Sequence, residues 1–232
     1  MNIASLLKKQ VQVAGFVGLI GLGVANSAAA QVTVDESGEA GETVEDAQFI
    51  PSGSANLDSI TGEITELEDA DLFSIFIHDP QGFSASTVGG ADFDTQLFLF
   101  NNNGIGVEFN DNTFPTFSLQ STLPPANPNS PASPGRYLLG ISEFDIDPET
   151  AAGQEIFPDG NFPFNTGVFG PDVTDPLDSF NADNDVLQGG AYEISLTGAN
   201  AVPEPASILG LLTFGSFTTS AWLKHQRKKR QN

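Results

Sequence analysis

Hydrophobic positions in the middle of the chain recur with a period of two, in short runs. Phe73, Ile75 and Ile77 alternate with Ser74 and Phe76, and Leu97 and Leu99 alternate with Phe98 and Phe100. Apolar residues on both parities of such runs predict strands covered on two faces. Asn101, Asn102, Asn103 and Gly104 then predict a turn. Residues 107 to 110, 116 to 120, 137 to 142 and 192 to 197 are further strand candidates. In the last, Tyr192, Ile194 and Leu196 fall on one face and Glu193, Ser195 and Thr197 on the other, as in a sheet with one wet side. No run carries the period of an amphipathic helix. Short strands punctuated by Gly, Asn, Asp and Pro, with 19 Phe to fill a core, predict an all-β fold, an antiparallel β-sandwich.

Two interruptions separate the later strands. Residues 124 to 134 hold five prolines and read as an extended surface loop. Residues 145 to 189 are longer and are broken by Asp147-Pro148, Phe157-Pro158, Phe162-Pro163, Gly170-Pro171 and Asp175-Pro176. A structureless loop of that length is unusual inside a compact domain, so this one is either functional or hides extra strands. Phe157, Phe162, Phe164 and Phe169 within it are expected to fold back on the sandwich, because soluble domains seldom expose large apolar patches. Residues 31 to 57 are acidic, small and without clear period, which suits a mobile leader or an edge segment better than a core element. The folded unit is therefore expected over residues 58 to 201.

Both ends of the chain read as addresses. Lys8 and Lys9 precede an apolar run over residues 11 to 25, which closes on Ala28, Ala29, Ala30 and Gln31. The run is about 15 residues, short of the ~20 that a spanning helix needs, and Ala28 and Ala30 suit a signal peptidase cutting before Gln31. Residues 1 to 30 are thus expected to be a signal peptide. An uncleaved N-terminal anchor is the alternative. At the other end Val202-Pro203-Glu204-Pro205 is followed by residues 206 to 223, which carry no charge and span about 27 Å as a helix, just enough to cross a bilayer. Residues 224 to 232 are strongly basic and would stay on the cytoplasmic side, leaving the body outside.

Charge sharpens this division. Of eight basic residues only Arg136 lies between the two ends, whereas all acidic residues except Glu204 fall within residues 31 to 201. A body so acidic excludes nucleic acid as a partner, since phosphate binding needs a basic footprint, and it does not suit an anionic membrane surface. Divalent cations and neutral polymers such as glycans remain open. The chain has no Cys, so disulfides, thiolate metal sites and thiol nucleophiles are all absent.

The last 30 or so residues resemble the tripartite PEP-CTERM sorting signal of bacteria that make extracellular polysaccharide. The match is Val202-Pro203-Glu204-Pro205-Ala206-Ser207, an apolar span and a basic end, in that order. The resemblance implies a transient inner-membrane stay, with an exosortase-type enzyme processing the chain near Pro203, Glu204 and Pro205 before transfer to the cell surface or medium. An ordinary C-terminal anchor would instead leave Trp222 and the basic tail on the mature protein.

The body resembles the pre-peptidase C-terminal domains, small jelly-roll-like sandwiches found on secreted bacterial proteins. The matching segments are Asp69-Ala70-Asp71-Leu72-Phe73-Ser74, Phe93-Asp94-Thr95-Gln96-Leu97-Phe98-Leu99-Phe100, Gly135-Arg136-Tyr137-Leu138-Leu139-Gly140-Ile141-Ser142 and Tyr192-Glu193-Ile194-Ser195-Leu196-Thr197-Gly198. The long interruption before the last strand departs from the simplest members, and no peptidase domain precedes these segments, so protease-linked roles are not carried over. The resemblance implies a binding or accessory β module, in some cases with calcium.

Candidate chemistry is limited to carboxylates. Asp69 and Asp71, Asp92 and Asp94, Asn110-Asp111-Asn112, and Asp172, Asp175, Asp178, Asp183 and Asp185 gather at strand borders and in the long loop. Calcium takes six to eight oxygen ligands of this kind, and a site near Asp69, Asp71 and Asp94 is the expected one; a merely solvated acidic surface is the competing reading. His78, beside Asp79-Pro80, reads as a turn residue rather than a general base, and no Gly-x-Ser-x-Gly elbow is present. Gly89-Gly90 and Gly189-Gly190 read as turns rather than phosphate loops. The expectation is an exported, non-enzymatic, surface- or matrix-associated sandwich that binds or scaffolds extracellular material, with exopolysaccharide as candidate ligand and calcium as candidate cofactor. A carboxylate-dependent polysaccharide hydrolase and a calcium-dependent self-associating adhesin are the alternatives.

Overall fold

A computed structural model describes residues 32–50, 56–113, 118–160, 167–182 and 188–200. The signal peptide with its Ala28, Ala30 and Gln31, and the sorting tail with Pro203, Glu204 and Pro205, lie outside the described residues. Among the described residues no helix is long and apolar enough to cross a membrane. The structure is all-β and sandwich-like. One sheet runs β1 (Val32–Asp35), β3 (Leu57–Ile64), β12 (Gly190–Thr197), β5 (Ser84–Ser86) and β8 (Thr122–Leu123). The second runs β13 (Ala199–Asn200), β4 (Ala70–Ile77), β9 (Gly135–Glu143), β6 (Thr95–Asn101) and β7 (Gly106–Asn110), with β2 (Gln48–Phe49) also on β4. A separate ribbon pairs β10 (Ile146–Thr150) with β11 (Leu177–Ala182). The ladders are antiparallel except at two edges, where β1 pairs with β3 and β2 with β4 in parallel.

The strands with apolar residues on both parities are those that lie between two layers. Phe73, Ile75, Ile77, Leu97, Leu99, Leu139 and Ile141 point to the first sheet and meet Ile60, Ile64, Ile194 and Leu196. The opposite parity, Leu72, Phe98, Phe100 and Leu138, forms a second core with Ile146, Ile156, Phe157, Leu177 and Phe180. Residues 145 to 189 therefore do hide strands. The ribbon and its flanks form a third layer over the outer face of the second sheet. Phe157 and Phe169 fold back as expected, Phe157 stacking within 5.7 Å of the rings of Phe98, Phe100 and Phe109. Phe162 and Phe164 lie outside the described residues.

The acidic stretch after residue 31 is an edge of the sandwich. Val32 and Val34 alternate with Thr33 and Asp35 along β1, and Ala40 and Ile50 are fully buried in the inner core. The strand expected over residues 116 to 120 is replaced, in its described part, by an irregular segment from Ser118 to Gln120, and β8 begins two residues later. His78 is exposed in a turn closed by the Gly82 N–H donating to the Asp79 carbonyl, and it lines a shallow hollow with Asp58 and Asp79.

Strand direction gives the sandwich two distinct poles. β4 and β6 start, and β7 and β9 end, at one pole, so Asp69, Asp71, Asp94, Asp111 and Glu143 collect there. Arg136, the only Lys or Arg among the described residues, pairs with Phe76 toward the opposite pole and sits over the Phe49 ring at 5.5 Å. Asn200 also pairs with Phe76, so the last described residue lies on that side.

Candidate functional site

The acid-lined pole has two corners, one on each face of the second sheet. The inner corner lies between the sheets. β4 places Asp71 on the parity of Phe73 and Ile75, where it is wholly buried, and the β12 residue Tyr192 donates its hydroxyl to Asp71 Oδ2 at 2.5 Å. Asp71 Oδ1 has no hydrogen-bond partner. Asp69, 4% exposed, accepts the Thr65 N–H on Oδ2 at 2.6 Å. From the segment after β1 come Glu36, whose backbone N–H donates to the Thr61 carbonyl at 2.7 Å, and Glu39. Carboxylate oxygens of Glu36, Glu39 and Asp71 lie within 4.8 Å of one another.

Gly62 on β3 makes this approach possible. A Cβ there would stand 2.3 Å from the Tyr192 hydroxyl oxygen and 2.6 Å from Glu36 Oε2, so any side chain would fill the corner. Glu36 Oε2 also accepts the Glu63 N–H at 3.0 Å. Burial pushes Asp71 up to about 8 against the opposing hydrogen bond from Tyr192, and the charges of Glu36, Asp69 and Glu39 add to the rise. Glu36 and Glu39 are raised too, first by burial and then by neighbouring carboxylates, with the Glu63 N–H opposing in Glu36. Tyr192 is raised by burial and by Asp71 beneath it, so it stays a hydrogen-bond donor. Four carboxyl groups crowd here with no ammonium or guanidinium among them, a repulsion that a shared cation would relieve.

The outer corner lies where the β9–β10 turn meets the start of β6 and the end of β7. Asp94 directly precedes β6 and accepts the Phe144 backbone N–H on its carbonyl at 3.0 Å. Asp111 follows β7, held by Ser121, whose hydroxyl donates to the Asp111 carbonyl at 2.7 Å, and by Asn110, whose Oδ1 accepts the Thr122 N–H at 2.8 Å. Asp147 on β10 accepts from Gln96 Nε2 at 3.3 Å. Carboxylate oxygens of Asp145, Asp147 and Asp159 lie within 4.8 Å of one another. Glu143 is engaged otherwise, taking the backbone N–H groups of Gln188 and Gly189 at 2.8 to 3.1 Å. Asp94 is pushed up to about 6 by burial and by Glu143, and Asp111 to about 8 by burial and then by Asp94, Asp147 and Asp145.

Of the three residues singled out for calcium, the structure brings Asp69 and Asp71 together and puts Asp94 elsewhere. Asp71 pairs with Ile141, whereas Asp94 lies beside Phe144 on the far flank of β9, about 10 Å along the strands and about 10 Å across them. Sequence reasoning missed Glu36 and Glu39, which reach the corner only through the parallel β1–β3 edge. Asp92, Asp172, Asp175 and Asp178 are exposed and belong to neither corner, while Asp183 and Asp185 lie outside the described residues. Comparison with models of known protein families and with curated proteins finds no match for the chain.

Proposed function

We propose that this chain is an exported, exosortase-sorted, non-enzymatic β-sandwich of jelly-roll-like type, which binds or scaffolds extracellular material, with calcium at the inner corner. The observation that carries the calcium part is Asp71, wholly buried with one oxygen unpartnered beneath Glu36 and Glu39. Aspartate and glutamate oxygens in this number are what a hard cation with six to eight oxygen ligands takes. Glu36, Glu39 and Asp71 would hold the ion, Asp69 would complete the negative lining, and Tyr192 would orient Asp71 by its hydrogen bond.

Burial also favours binding over hydrolysis. A glycosidase needs two carboxyl groups that both reach the sugar, and Asp71 has no exposed surface with which to do so. Material bound by this sandwich would be a neutral or cation-bridged polymer, given the charge of the body and a single arginine to offer it. The test is co-sedimentation of the full chain with extracellular polysaccharide from its own host, in calcium and in chelator. Binding that needs calcium and weakens in Asp71→Asn is expected. New reducing ends in the same tubes would overturn the non-enzymatic reading, and equal binding in chelator would remove calcium from it.

A further inference from the structure

The outer corner carries an inference of its own, independent of the inner one. Asp145, Asp147 and Asp159 gather their carboxylate oxygens there within 4.8 Å of one another, and Asp111, from the end of β7, feels the charges of Asp94, Asp147 and Asp145. Two features set it apart from a solvated acidic patch. Asp111 is only 1% exposed and its Oδ1 has no hydrogen-bond partner, while its neighbours in charge are Asp94, Asp147 and Asp145. Asp94 Oδ1 is likewise shielded from solvent without a partner. Two buried carboxylate oxygens without a donor, on groups whose charged neighbours are other carboxylates, are unfavourable in a bare protein, because each forfeits its hydration and meets like charge. Arg136, the one basic side chain of the described residues, lies toward the other pole and cannot compensate.

We propose that Asp94, Asp111, Asp145, Asp147 and Asp159 form a second calcium site, which fastens the β10–β11 ribbon to the sandwich. Calcium suits this set better than magnesium, since the oxygens come from unrelated segments and a large, flexible coordination shell accepts them. The ribbon is tied to the second sheet by Gln96 donating to Asp147, by the Ser142 hydroxyl donating to the Ile146 carbonyl at 2.8 Å and by the Leu177 N–H donating to the Gly104 carbonyl at 3.0 Å. The phenylalanine layer adds an apolar hold beneath it. A cation at the corner would therefore control how often the ribbon lifts from that layer, without altering the sandwich beneath.

The experiment is calcium titration calorimetry on the full chain and three variants, with limited proteolysis of residues 144 to 182 read in parallel. Asp71→Asn removes the inner site and should leave one calcium bound, whereas Asp111→Asn, isosteric and able to keep its backbone contacts, should lose that remaining one. Asp145→Asn, in the half-buried turn, should weaken the same ion and serves if Asp111→Asn fails to fold. Calcium at ten times its Kd should slow ribbon cleavage about tenfold in Asp71→Asn. Loss of all calcium binding in Asp71→Asn, or ribbon cleavage indifferent to calcium in that variant, would overturn the proposal. Calcium binding in Asp71→Asn undiminished from wild type would count against the inner site, whereas Asp111→Asn binding as much calcium as wild type would overturn this second one.

Discussion

The two faces of the second sheet are closed in different ways. The inner face meets another sheet, so its aliphatic residues, Ile75, Leu97, Leu99 and Ile141, are sealed by strands whose own backbones are paired in ladders. The outer face meets a two-stranded ribbon and irregular chain, and Phe98, Phe100 and Phe109 crowd it beside Leu72 and Leu138. Phe98 lies 5.0 Å from Phe109, and Phe157 and Phe180 each lie 5.7 Å from Phe98. Large rings supply contact area that a short ribbon cannot supply by hydrogen bonding, and such pairs add about 0.5–1.5 kcal/mol each beyond burial. The difference teaches that one sheet can serve two layers of unequal autonomy, a sandwich that closes on itself and a cover that depends on what it touches.

The largest test of this contrast is Phe98→Ala. Removing the ring at the centre of the outer core should cost about 3–5 kcal/mol in urea unfolding and should raise hydrogen exchange in β10 and β11 before it does so in β3 and β12. Uniform loosening of both sheets would erase the distinction. Gly62→Ala probes the inner face with a smaller expected cost, about 1–3 kcal/mol, because its methyl would press on Tyr192 and Glu36; the ribbon's exchange should not change.

Glu108→Gln separates burial from crowding. Glu108 is 1% exposed, accepts from Asn127 Nδ2 at 2.7 Å, and is pushed up to about 7 by burial, with that hydrogen bond opposing. Its folded-state value lies above its ordinary 4.5, so the folded chain keeps a proton that the unfolded chain has released. The stability tied to that proton is complete below pH 4.5 and is lost as the pH rises through about 7. Glutamine can still accept from Asn127, so the variant should match wild type at pH 4 and exceed it by about 3 kcal/mol at pH 8 in chelator. An equal difference at both pH values would mean that packing, not charge, decides this position.

The central strands were legible because burial on both faces writes apolar residues at every position, as in Leu97-Phe98-Leu99-Phe100. The ribbon was not, since Pro148 interrupts the pattern of β10, while Leu177 and Phe180 stand three residues apart across a register shift and so break the strand alternation. Asp69 and Asp71 were legible as a pair at a strand border. Their partners were not, because Glu36 and Glu39 sit more than 30 residues earlier and arrive through parallel pairing, which leaves no local pattern. Asp94 shares the border position of Asp71 but takes the other face, a difference set by register rather than by residue type.

The last described residue, Asn200, stands well apart from the acid-lined pole. Asn200 pairs with Phe76, and Asp71 lies five residues back along β4, about 17 Å away. Asn200 thus lies with Arg136 at one end of the second sheet, and both carboxylate corners lie at the other. A tether leading off from the Arg136 end would make the acid-lined pole the tip farthest from its attachment.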